Sequence, residues 1–379
     1  KVSKREELVA EIAASQILLL GDFHALQQSQ KSQLRVLKAI PASRKILLAV
    51  EFFEARHQRA LDRYMAGHLS ERDFLKLVQW QKSWGFPWEH FRPLIRWAQK
   101  RKIKVIGLNE LSKSRSASTL HRRDVFAAEK IKELRQKCPE HLIAVIYGDQ
   151  HLAQKHLPRQ IALKTNGRAG RVLTVFQNAE SLYFQLLEKG LEIDVDVVRL
   201  AKDQFCLLNV PPWVKWQNYL LFLESHLDHG LEGESDYQDE VQNYLKVLEH
   251  DLDLKVPEGN FSIISAQDRD FWEKISAKFS PAERKFLQSW VEKGASFYLP
   301  ELQTGFLARP SVNHTAQLAM AILHEHVSDW KKTPLKMPEE FLKLIWIETI
   351  QYFGTKLINP KRKSDTLHDI KAALAVRLP

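Results

Sequence analysis

Ile17-Leu18-Leu19-Leu20-Gly21-Asp22-Phe23-His24 and Leu142-Ile143-Ala144-Val145-Ile146-Tyr147-Gly148-Asp149-Gln150-His151 spell one arrangement twice. Each is an apolar run closed by a glycine, with an aspartate next and a histidine three residues after the glycine. A short, unbroken apolar run that stops at a turn residue reads as a strand buried on both faces. Glycine at the turn opens backbone paths that a Cβ would obstruct. Two more runs of this kind, Ile46–Val50 and Ile103–Leu108, lead into Glu51 and into Asn109-Glu110.

Working outward, helical patterns fill the intervals: about Leu26–Ala39, where Pro41 stops the helix, then Glu54–Ala66, Ser70–Gln79, Glu89–Lys100 and Arg123–Lys137. Ser70-x-x-Asp73 is an N-cap signature for the third of these. Further strands are expected at Val172–Phe176, Val195–Leu200 and Phe205–Leu208. Apolar strands alternating with helices define an α/β fold, a mostly parallel central sheet flanked by helices on both faces. Past Pro211-Pro212 the pattern turns mainly helical, over about 213–226, 237–251, 268–278, 281–293, 314–330 and 338–353. The expected organisation is an α/β domain over residues 1–210 and a mainly α-helical C-terminal region over 211–379.

The 379 residues are 44% hydrophobic and 27% charged, enough to bury a large core and incompatible with a disordered chain. A formal charge of +10 favours anionic contacts, but the basic runs Lys100–Lys102 and Lys361–Lys363 lie in no nucleic-acid module. The expected partner is therefore a small anionic ligand, with no specific nucleic acid. Walker, Gly-x-Gly-x-x-Gly and Gly-x-Ser-x-Gly motifs are absent, which leaves nucleotide folds and serine hydrolases without support. No apolar stretch approaches a membrane span. The two cysteines show no pairing pattern, which fits a cytoplasmic location. Because the chain opens at Lys1, a processed periplasmic or lipid-anchored form stays open.

In an open parallel sheet, ligands bind at the edge formed by the carboxyl ends of the strands. That edge gathers Asp22, His24, Glu51, Asn109, Glu110, Asp149 and His151 from distant parts of the chain. Two imidazoles with carboxylates suit Zn, Mn or Fe with an open position for water or substrate. The expected metal ligands are His24, Glu51 and His151, with Asp22 and Asp149 as ligands or as orienters of their histidines. The other option is haem, with His24, His151 or Tyr147 as axial ligand. Trp80, Trp84, Phe86, Trp88, Phe91 and Trp97 would wall a flat ligand or fill the core. Arg92, Arg122 and Arg123 are candidates to meet a propionate or substrate carboxylate. In the C-terminal region His314, Gln317 and His324 share a helical face opposite Ala316, Met320, Leu323 and Val327.

These segments carry a family resemblance. Residues from about Glu6 to Leu200 resemble the ChaN family of haem-binding uptake proteins, grouped with the Tiki metalloproteases and erythromycin-esterase-like proteins. The resemblance rests on Leu18–His24, Leu48–Phe53, and His57-Gln58-x-x-Leu61-Asp62-x-Tyr64-x-x-Gly67-x-Leu69-Ser70. It also rests on Trp84-Gly85-Phe86-x-Trp88, Arg123-Asp124 with Ala127, and Gly148-x-x-His151. Two Gly-x-x-His motifs plus a strand-end Glu are similar to the Tiki-type metal site, which implies His24, Glu51 and His151 as ligands. The chain departs from the pattern at Asp22, where Glu is usual, and at Gln150, where a small residue is common.

The resulting expectation is a ChaN-like protein that binds haem or a transition metal (Fe, Mn, Zn or Co) at the sheet edge and is open to homodimer formation. The alternative is a Tiki-like metal-dependent hydrolase in which metal-bound water attacks, Asp22 or Asp149 is the general base and Glu51 belongs to the catalytic set. A third reading is a non-catalytic scaffold for protein interaction.

Overall fold

In the structure, a computed structural model, the described residues are 1–110, 117–227, 237–255, 261–265, 278–292, 294–328 and 337–364. They divide into two compact units, Lys1–Pro212 and Trp213–Pro379.

The first unit is built on β1 (Val2–Ser3), β2 (Ile17–Asp22), β3 (Ile46–Glu54), β4 (Lys104–Asn109), β5 (Leu142–Gly148), β6 (Val172–Gln177), β7 (Val197–Ala201) and β8 (Gln204–Leu207). They form one sheet in the order β1-β7-β8-β6-β2-β5-β3-β4. All pairings from β8 to β4 are parallel, and antiparallel β1 and β7 complete one edge. The α/β fold with a mostly parallel sheet is therefore present as expected.

Alternation along each strand sorts side chains between two cores. Leu18, Leu20, Leu48, Val50, Ala144 and Ile146 join one core with α1 (Arg5–Ala13), α2 (Gln27–Ala39) and α6 (Trp88–Lys100). Ile17, Leu19, Ala49, Ile143, Val145 and Tyr147 join the other with α7 (Ala117–Lys137) and α8 (Leu157–Lys164). Strands buried on both faces explain why the sequence runs are continuously apolar.

One detail differs from the sequence expectation. β3 does not stop before Glu51 but runs on to Glu54, its pairing with β4 shifting register between Val50 and Glu54. The apolar Phe52 and Phe53, both buried, extend the strand. Trp80, Trp88 and Phe91 are buried core residues, packed with Phe52, Phe53 and Phe74. Ser70 caps its helix as expected, accepting from the Asp73 amide at 3.1 Å.

The helices of the second unit are Pro212–Leu227, which begins at the boundary, Gln238–Asp251, Pro281–Glu292, Val312–Val327 and Met337–Ile358. It also holds a three-stranded sheet of Ser262–Ser265, Phe297–Leu299 and Thr304–Leu307. Strands of three or four residues carry too few alternations to register as a period. The helix expected over 268–278 falls almost wholly outside the described residues. His314 bonds Ser296 Oγ at 3.0 Å, and His324 Nε2 accepts from Trp346 Nε1 at 3.1 Å. Ala316, Met320 and Leu323 are buried, whereas Val327 is exposed. Among the described residues, no helix is long and apolar enough to cross a membrane.

Leu48 is fully buried in a central strand. Leu48→Ala should lower unfolding free energy by about 2–5 kcal/mol, read as a lower urea midpoint of the first unit. A cost under about 1 kcal/mol would contradict this packing.

Candidate functional site

Strands β2, β5 and β3 are consecutive in the sheet, and they deliver Asp22, Gly148 and Glu51 side by side. Asp22 lies in register with Gly148, and Val50, just before Glu51, with Ile146. The turns beyond β2 and β5 then place His24 and His151 on either side of Glu51. His24 Nε2 stands 3.9 Å from Glu51 Oε2, and His151 Nε2 stands 3.8 Å from Glu51 Oε1.

Glu51 is only 2% exposed, so its charge must be met by donors. The Arg123 guanidinium, from α7, bonds Oε1. The Gly148 amide donates to Oε2 at 2.6 Å. This approach explains the glycine: a Cβ at 148 would sit 3.3 Å from Glu51 Oε2 and 3.4 Å from His24 Nε2.

Both imidazoles are held through Nδ1 by buried aspartates. His24 Nδ1 pairs with Asp22 Oδ2 at 2.7 Å, and His151 Nδ1 with Asp124 Oδ1 at 2.6 Å. With Nδ1 engaged, Nε2 faces the centre, the arrangement by which carboxylates orient ligating or proton-transferring histidines. The two differ in access. The His24 side chain is 23% exposed, its ring 4.5 Å from the Trp84 ring and 5.1 Å from that of Phe86. His151 is buried, edge-on to Tyr147 at 4.8 Å.

Tyr147 is wholly buried, and burial, with the nearby Glu51 charge, pushes its hydroxyl well above the usual tyrosine range. The Asp149 carboxylate packs over Gly21, where a Cβ would lie 1.7 Å from Oδ1. Arg92 pairs with Glu71 at 2.8 Å and Arg122 with Glu110 at 3.1 Å, while Arg123 is the arginine on Glu51. Among the described residues, no group of three or more His, Cys, Asp and Glu side chains stands in a metal-holding arrangement.

Sequence reasoning did not single out four participants. Asp124 appears there only within the family-like segment, yet its two oxygens bond His151 and, at 3.2 Å, His156. Gln30 and Gln33 of α2 both donate to Asp22. The signal available was weak: polar residues on the face of α2 that should be apolar.

Burial lowers the His24 pKa, but the Asp22 hydrogen bond and the charges of Asp22 and Glu51 outweigh burial and opposing Arg123, leaving it raised. A raised folded-state value stabilises the protein fully below the unfolded-state pKa, and that gain is lost as pH climbs through the folded-state value. The stability advantage of wild type over His24→Gln should therefore be largest near pH 5 and shrink above about pH 6.5. Denaturant unfolding across this range is the check, and a pH-independent difference would contradict the pairing.

Residues 8–156 match the family profile described as haem-binding uptake, Tiki superfamily, ChaN. No curated protein matches the sequence. Among solved structures, the chain is similar to ChaN of Campylobacter jejuni, solved for its cofacial haem binding, at 16% identity. That likeness covers 47% of this chain and 88% of the other, with a TM-score of 0.36. It is also similar to the type III effector HopBA1 at 14% identity, over 55% of this chain and 96% of the other, with a TM-score of 0.35. Residues 8–156 are thus similar to the ChaN family of haem-binding uptake proteins, grouped in the Tiki superfamily.

Proposed function

We propose that the first unit binds haem at the carboxyl edge of β2, β5 and β3, with His24 as the side chain that offers a nitrogen to iron. The observation that carries the reading is the setting of His24. Its Nδ1 is anchored by a buried aspartate, its ring is partly open, and two aromatic rings stand against it. A haem site asks for an oriented ligand, an apolar wall for the macrocycle and a cation for a propionate. His24, Trp84 with Phe86, and Arg123 supply those features. Tyr147 and His151 lie deeper, so a planar group would meet His24 first. The family description, haem-binding uptake, supports the same ligand class. Iron bound there would supply Lewis-acid and redox chemistry, and the chain's own residues bind and orient.

One observation favours a second reading, a metal-dependent hydrolase: the second Asp-backed imidazole, His151, on the far side of Glu51. His24, Glu51 and His151 would then hold the ion. Arg123 opposes this, because a divalent cation would compete with its guanidinium for Glu51. Asp22 is a poor general base here, since both its oxygens already accept hydrogen bonds.

Titrating the purified protein with haem should give a saturable Soret change, weakened at least about tenfold by His24→Ala. Stoichiometric Mn, Co or Zn by elemental analysis, with ester or peptide hydrolysis lost in Glu51→Ala, would replace this by the hydrolytic reading. If neither haem nor metal binds tighter than about millimolar, the site assignment fails.

A further inference from the structure

Asp22 is gripped from a direction that neither Gly-x-x-His motif includes. Gln30 and Gln33 stand one helical turn apart on α2 and face the same way. Gln30 Nε2 donates to Asp22 Oδ1 at 2.6 Å, and Gln33 Nε2 to the same oxygen at 2.8 Å. Gln33 Nε2 also reaches the Gly21 carbonyl at 2.8 Å, and Gln177 at the end of β6 donates to that carbonyl at 2.5 Å. Gln177 Oε1 accepts in turn from Asn209 Nδ2 at 3.0 Å. The turn that launches His24 is thus held by a buried set of amides.

The orientation of Gln30 and Gln33 is forced. An ionised carboxylate only accepts, so each amide must aim its NH2 at Asp22 and its oxygen away. Both residues are 2% exposed or less, and among the described residues neither Oε1 has a hydrogen-bond partner. A buried amide oxygen left unsatisfied costs about 1–3 kcal/mol. An apolar residue at either position would avoid that cost. The fold accepts two such penalties to place two donors on one oxygen of Asp22, and such exceptions call for an explanation beyond packing.

We propose that Gln30 and Gln33 are positioning residues for His24. By saturating Asp22 Oδ1 they keep Oδ2 as the acceptor for His24 Nδ1–H, so the neutral ring carries its proton on Nδ1 and presents Nε2 as a lone pair beside Glu51. The use of that lone pair rests on the proposed function; the tautomer does not.

The test is long-range 1H–15N NMR of the full chain labelled with 15N-histidine, without added ligand, above the pH at which His24 titrates. The His24 signals are identified by their loss in His24→Gln. Wild type should show a pyrrole-type Nδ1 and a pyridine-type Nε2. Gln30→Met with Gln33→Met keeps side-chain length but has no N–H to give, and should shift both signals toward the mixed-tautomer average. Each single Met variant should fall between, and serves alone if the double variant does not fold. Unchanged His24 signals in the folded Met variants, whatever happens to melting temperature, would overturn the proposal and leave the glutamines a structural role only. A tautomer shift in a protein that shows no Soret change would sink the haem reading while leaving this one standing.

Discussion

A carboxylate buried among three parallel strands is the constraint around which the first unit is arranged. Glu51 sits in β3, next to β5 and one strand from β2, where solvent cannot reach it. Leaving such a charge unpaired would cost several kcal/mol, comparable to a large share of a domain's net stability. The fold answers with donors from separate parts of the chain: a guanidinium from α7 and a backbone amide from the end of β5. A Cβ at 148 would press on Glu51 Oε2 at 3.3 Å and force the carboxylate to give by a few tenths of an ångström, which ties one glycine of the repeated motif to the charge beside it.

Around that centre the two halves of the site look symmetric on paper and are unequal in space. Each has a Gly-x-x-His turn and an aspartate on Nδ1. In one half the aspartate comes from the turn itself; in the other it comes from α7, and Asp149 packs over Gly21. His24 borders solvent beside two aromatic rings, whereas His151 is enclosed by Asp124 and Tyr147. The open half suits a ligand that must arrive from outside. The enclosed half acts as the fixed backing of Glu51.

Much of this was legible in the residues. Continuous apolar runs ending in turn glycines predicted parallel strands, and the strand-end rule predicted that His24, Glu51 and His151 would meet, as they do. What periodicity could not reach were side chains whose role depends on partners far along the chain. Asp124 lies 27 positions before His151, on a helix surface where an aspartate ordinarily faces water. Gln30 and Gln33 look like polar interruptions of an amphipathic helix until Asp22 is placed beneath them. The aromatic segment divided in a way no spacing rule foretells: Trp80, Trp88 and Phe91 are buried in the core, while Trp84 and Phe86 pack against that core and also meet His24.

The strands, their turns and the edge at which polar side chains collect are written in the residues, because each follows from local burial pattern and backbone freedom. The tertiary structure decided which aspartate serves which histidine, which arginine neutralises Glu51 and which ring remains open. Those choices depend on the order in which strands pair and on how helices cross the sheet. A one-strand change in that order would alter the partners of Glu51 while leaving the local pattern intact. Hydrogen bonds act over about 3 Å, so they are settled only after the whole sheet has assembled.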